Sequence, residues 1–143
     1  ELGRIAKHRK VALVASYPQV EELSENKRRQ YIGAVLFDAN GELALTYRKV
    51  HLYDAFGQRE SDWVEPGEIT DPQTFEVGDL RFALMTCYDL RFPEVARRLA
   101  DAGAHVVLVA AEWVRGPLKE HHWRTLLRSA LIGSGIENPA TSA

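Results

Sequence analysis

Residues 80–110 constrain the fold more than any other stretch. Leu80 to Met85 is an apolar run, and Pro93 to Ala102 has helical spacing with Val95, Ala96, Leu99 and Ala100 inward. Gly103 stops that helix, and Val106 to Ala110 is again wholly apolar. Strand, helix and strand in this order imply a sheet covered by a helix. A short, continuous apolar run suits a strand buried on both faces, and Val11 to Ala15 is a second such run. Helices on one face alone would leave both runs half wet. The pattern therefore requires a second layer on the other face, either another sheet or a partner chain.

The remaining segments fill in a mixed α/β pattern. Glu1 to Arg9 has helical spacing, with Leu2, Ile5 and Ala6 on one face but no N-cap, and reads as the end of a helix whose beginning is missing. Tyr17-Pro18 is expected to close the first strand, with Glu21 to Gln30 a solvated loop or short helix. Tyr31 to Phe37 and Glu42 to Tyr47 read as strands joined by Asp38-Ala39-Asn40-Gly41, since Asn-Gly supplies the positive φ that tight hairpins need. Thr74 to Val77, Gly78-Asp79 and Leu80 to Met85 read as another hairpin, and Pro117 to Leu131 as a helix with Pro117 in its first turn. Arg48 to Asp71 has little regular pattern. A loop that long is functional or disordered, and Tyr53, Phe56 and Trp63 argue against disorder.

Composition narrows the function classes. A length of 143 residues fits one domain, and 45% apolar residues suffice for a core. A net charge of -2 offers no basic excess for nucleic acid or an anionic membrane. A single cysteine suits a reducing compartment, and no apolar run approaches the roughly 18 residues that span a bilayer, so a cytoplasmic protein is expected.

That cysteine, Cys87, falls where the Leu80–Met85 run meets the helix from Pro93. A strand-to-helix corner exposes a side chain beside outward-pointing backbone N–H groups, and a thiolate there is a nucleophile. Taken alone, a lone cysteine more often serves as a small buried apolar residue. Lys49 just after a strand, Glu60 in the long loop, and Glu112 and Trp113 after the Val106–Ala110 strand end stand at comparable places. A lysine can stabilise an oxyanion and a carboxylate can act as a base; a surface lysine and a solvated loop carboxylate are the bland alternatives. A papain-like Cys–His pairing with His51, His121 or His122 lacks the accompanying glutamine or asparagine pattern. No histidine–carboxylate set has metal spacing, so no metal or other cofactor is expected.

Taken together, several blocks resemble the nitrilase superfamily of carbon–nitrogen hydrolases, in its order and at about its spacing over residues 5 to 128. They are Tyr47-Arg48-Lys49-Val50-His51-Leu52-Tyr53, Glu60-Ser61, Pro66-Gly67, Cys87-Tyr88-Asp89-Leu90-Arg91-Phe92-Pro93-Glu94 and Ala110-Ala111-Glu112-Trp113, continuing through Gly116-Pro117, Glu120 and Trp123. Ser16 stands where the family usually has glycine before Tyr-Pro. The resemblance implies a four-layer αββα sandwich, incomplete in this chain, and association into a homo-oligomer. It implies a small amide or nitrile substrate cleaved through a thioester on Cys87, with Lys49 and the Tyr88 N–H stabilising the oxyanion. Glu60 matches an additional glutamate that positions substrate or lysine. Glu112 and Trp113 line the pocket, and Arg91 faces either a substrate carboxylate or a structural ion pair.

The chain also departs from the family pattern. No residue matches the family's general-base glutamate, and Glu1, Glu21, Glu22 and Glu25 stand in the wrong context. Leu131-Ile132-Gly133-Ser134-Gly135 intervenes before Ile136-Glu137-Asn138, and Pro139 discourages the closing strand. The chain thus reads as residues 1–143 of a single carbon–nitrogen hydrolase domain without its N-terminal segment and C-terminal strands. Two expectations follow: an active amidase- or nitrilase-type hydrolase of which these residues are part, or a catalytically incompetent fragment that keeps the fold and an association surface.

Overall fold

The helix α1 (Leu2–Arg9) leads into an antiparallel sheet of order β1-β2-β3, formed by β1 (Leu13–Ser24), β2 (Lys27–Phe37) and β3 (Leu43–Arg48). The computed structural model describes residues 1–24, 27–113 and 115–134. They fall into two compact units, Glu1–Asp71 and Pro72–Ala143.

In the first unit, β1 and β2 form a longer ribbon than the sequence suggests. Pairing runs from Leu13 opposite Phe37 to Ser24 opposite Lys27. Neither Tyr17-Pro18 nor the charged stretch after it ends the strand. The reason is position: β1 pairs only with β2, so a proline without an N–H costs no ladder bond on the free edge. The charges also face each other across the strands, Glu21 opposite Arg29 and Glu22 opposite Arg28, with an Arg28–Glu22 ion pair at 3.5 Å. The edge position also corrects the expectation of a strand buried on both faces, since Val11 and Val14 are 46% and 36% exposed.

At the β2–β3 turn the Asp38 carboxylate accepts the N–H groups of Asn40 and Glu42 at 2.9 and 2.8 Å. The Glu42 N–H, foremost, holds that carboxyl below the usual carboxylate range. Only Gly41 has positive φ, at 84°, rather than both residues of Asn-Gly. A Cβ on Gly41 would lie 2.4 Å from the Gly3 carbonyl, so α1 rests backbone-to-backbone on this turn. Ser16, which replaces the expected glycine, donates its hydroxyl to the Gly33 carbonyl at 2.8 Å.

The second unit follows the strand-helix-strand reading. β4 (Phe75–Val77) pairs antiparallel with β5 (Leu80–Thr86), which pairs parallel with β6 (Val106–Ala110). α2 (Pro93–Asp101) connects β5 and β6 and packs with α3 (Lys119–Ser134). Ala83, Met85, Leu90, Ala96, Leu99, Ala104 and Ala130 form the core, joined by Trp123, Leu126 and Leu127. The residues of β6 are half-buried rather than buried. Helix α3 starts later than expected, because Leu118 has φ 58°, a left-handed backbone that no helix continues through. Its backbone runs on to Ser134, while Gly135, Ile136-Glu137-Asn138 and Pro139 lie outside the described residues. Among the described residues, no helix is long and apolar enough to cross a membrane.

Candidate active site

The expected site residues divide between the units, Lys49 and Glu60 in the first and Cys87, Tyr88, Arg91, Glu112 and Trp113 in the second. In the first unit, Lys49 follows directly on β3 and is 2% exposed. Its backbone is held on both sides. The Lys49 N–H donates to the Ile32 carbonyl at 2.8 Å, and its carbonyl accepts the Gly67 N–H at 2.8 Å. Glycine is needed at 67 because a Cβ there would lie 2.4 Å from the Arg48 carbonyl. The Glu65 N–H donates to the Gln30 carbonyl at 2.8 Å and Val64 is buried, so the irregular stretch folds back against the end of the sheet.

That fold-back brings Glu60 to Lys49. Lys49 Nζ donates to Glu60 Oε2 at 2.5 Å, and the same oxygen accepts the Tyr53 N–H at 2.7 Å. Both side chains are largely out of water, so each supplies the other's countercharge. Glu60 opens a single 3-10 turn, Glu60–Asp62, whose Ser61 N–H donates to Asp54 Oδ1 at 3.0 Å. The Ser61 hydroxyl first, then this N–H, holds the Asp54 carboxyl below the usual carboxylate range. Two reciprocal contacts, Tyr53 to Glu60 and Ser61 to Asp54, therefore close the base of the loop. At its tip Phe56 and Gly57 both have positive φ, and Phe56 is 81% exposed. Asp54 was not among the expected residues; the signal that could have found it is an acidic residue six positions before the glutamate of Glu60-Ser61.

In the second unit, Cys87 begins a five-residue 3-10 turn, Cys87–Arg91, set between β5 and α2. The corner is thus a short turn rather than the start of α2. Cys87 is half-buried with φ 42°, a left-handed conformation costing a non-glycine residue about 1–2 kcal/mol. Such strain at a strand end is how a fold presents a nucleophile. Arg91 stands over two aromatic rings, its guanidinium carbon 5.7 Å from the Tyr88 centroid and 5.3 Å from that of Trp113. Arg91 Nε is buried without a hydrogen-bond partner among the described residues. Trp113, at φ 53°, packs edge-on against Trp123 with centroids 5.0 Å apart. The second unit thus gathers Tyr88, Arg91 and Trp113, whereas Glu112 is exposed.

Glutamates rejected from the sequence as general base are occupied elsewhere. Glu21 accepts the Tyr31 hydroxyl at 3.1 Å and pairs with Arg48 at 3.4 Å, and Glu22 pairs with Arg28. Glu25 lies outside the described residues. No cluster of three metal-ligating side chains occurs among the described residues.

Comparison with known proteins gives a consistent result. The family profile described as carbon-nitrogen hydrolase matches residues 1–136. The chain is 53% identical over 92 residues to a deaminated glutathione amidase of Escherichia coli O157:H7, covering 64% of this chain and 35% of that protein. It is 31% identical over 142 residues to the omega-amidase NIT3 of Saccharomyces cerevisiae, covering 94% and 46% respectively. The solved amidase of Nesterenkonia sp. AN1 superposes with a TM-score of 0.78 at 34% identity, over 94% of this chain and 49% of the amidase. A variant of that amidase carries acrylamide added at its active-site cysteine, and another is in complex with butyramide. The α/β fold of the described residues is the nitrilase-superfamily fold of these amidases. The chain spans about a third to a half of the length of the relatives it matches.

Proposed function

Because the chain belongs to the carbon-nitrogen hydrolase family, we propose that it carries the nucleophile and the oxyanion-stabilising lysine of an amidase acting on a small, non-peptide amide. The Cys87 sulfur bonds to the amide carbon, and the carbonyl oxygen becomes an oxyanion. Lys49 Nζ and the Tyr88 N–H donate to that oxygen. The carbon–nitrogen bond then breaks, and the nitrogen leaves as ammonia or an amine with the proton the thiol gave up. Water attacks the remaining thioester, its hydroxyl completing the carboxylic acid and its other proton regenerating the Cys87 thiol. Glu60 holds Lys49 in place for the first step. Trp113, Glu112 and Arg91 line the acyl side of the pocket, with Arg91 facing a substrate carboxylate. The amide rather than the nitrile is favoured because the relatives are amidases. The single cysteine supports a cytoplasmic setting, and exposed apolar residues of β1 support a homo-oligomer.

The observation that carries this reading is the Lys49–Glu60 pair. A lysine 2% exposed, with a glutamate 2.5 Å away and its backbone fixed on both sides, is not a surface lysine. The test is ammonia release from butyramide by the purified protein, its mass verified, beside the Cys87→Ala and Lys49→Met variants. Cys87→Ala should abolish release, and Lys49→Met should lower kcat by about 10²–10³. Release that survives Cys87→Ala overturns the proposal. A wild-type protein whose Cys87 takes up iodoacetamide without ever releasing ammonia has the fold and the thiol but not the reaction.

A further inference from the structure

Asp89 lies two residues beyond the nucleophile and is wholly buried, the one carboxylate among the largest fully buried side chains. Its Oδ2 accepts the Thr86 N–H at 3.2 Å, and its own carbonyl accepts the Phe92 N–H at 3.0 Å. The side chain thus grips the residue that enters the Cys87–Arg91 turn, and the main chain grips the residue that leaves it. The outline is that of a capping box, but only the Asp89 half meets hydrogen-bond geometry; Thr86 Oγ1 is buried without a hydrogen-bond partner among the described residues. The clamped segment contains Cys87 at φ 42°, a conformation that its own steric preferences oppose. Strained backbone persists only where its surroundings fix it.

We propose that Asp89 is a positioning residue for Cys87: by accepting the Thr86 N–H it fixes the Met85–Thr86 peptide, one residue ahead of Cys87, and holds the turn in which Cys87 takes its left-handed presentation. The proposal deepens the amidase reading, since it concerns the nucleophile of that reaction, but its test does not depend on turnover. The role assigned to Asp89 is the seating of that backbone. It acts through backbone geometry, so an isosteric acceptor should replace it and an isosteric apolar group should not. Asparagine keeps an oxygen that can take the Thr86 N–H, whereas leucine fills the buried site without one.

The test is the rate of Cys87 alkylation by iodoacetamide, followed by intact mass, in native protein and in urea. The ratio of the two rates measures how far the fold sets the thiol's reactivity. Asp89→Asn should keep the wild-type ratio within about threefold. Asp89→Leu should move it at least tenfold toward one, with circular dichroism unchanged, and should lower kcat for butyramide while KM stays within about threefold. A folded Asp89→Leu protein that keeps the wild-type ratio overturns the proposal, as does a wild-type ratio of one. Should Asp89→Leu not fold, Asp89→Asn decides: if it loses the ratio, the acceptor is not what positions Cys87. Absence of ammonia release in every variant, with the alkylation ratios as expected, would fail the amidase reading and leave the positioning role intact.

Discussion

At the scale of single residues, neighbours override the ordinary behaviour of several groups. Lys49 is the clearest case. Replacing one member of a buried pair leaves the other charge uncompensated, which costs about 3–5 kcal/mol. Lys49→Ala should therefore lower the urea-unfolding stability of the protein by about 3 kcal/mol. The double replacement Lys49→Met with Glu60→Gln should recover most of that loss without restoring activity. Equal stability of Lys49→Ala and wild type would show that the pair carries no structural weight. The positions of Cys87 after an apolar run and of Lys49 after a strand were legible in the sequence, since each is a chemically distinctive residue within blocks that a family shares. Asp54 and Asp89 were not. Each acts by accepting backbone N–H groups three to seven residues away, and before folding such an aspartate looks like any solvated carboxylate.

At the scale of elements, the loop between β3 and β4 is closed at its base by polar contacts. Its clamp includes Asp54, whose carboxyl is held below the usual range by Ser61. A folded value below the unfolded one means the carboxylate's contribution is complete above the ordinary pKa of about 3.9 and is lost as pH falls through the lower folded value. The hydrogen-exchange protection of the Ser61 amide should accordingly drop as pH falls below the ordinary carboxylate pKa. Asp54→Asn should remove that drop. Protection that is flat in the wild type would mean that Asp54 does not hold the turn. Most element positions were readable from apolar period and turn chemistry, including β5, α2 and β6. The failures share a cause. The β1–β2 ribbon past Pro18 is stabilised by cross-strand pairing and edge position, and the start of α3 is set by the left-handed Leu118. Both are properties of the folded backbone that residue types alone do not encode.

At the scale of the whole molecule, several apolar side chains lie in solvent. Val11, Val14, Tyr17, Val20 and Leu23 are exposed along or beside β1, and among the described residues no strand pairs with the outer edge of β1. Exposed apolar surface beside a free strand edge favours association. A preparation of these 143 residues alone should sediment as more than a monomer at micromolar concentration, and Val14→Lys with Val20→Lys should shift it toward monomer. Monomeric behaviour of the unaltered chain would count against this. The contacts that seat the lysine have one more consequence. All of them, from the Gln30 carbonyl to the Gly67 N–H, fall within residues 30–67. During synthesis, when N-terminal parts of a chain fold first, the cation can find its countercharge while the cysteine is still inside the ribosome. The sulfur then emerges into a chain whose lysine is already committed.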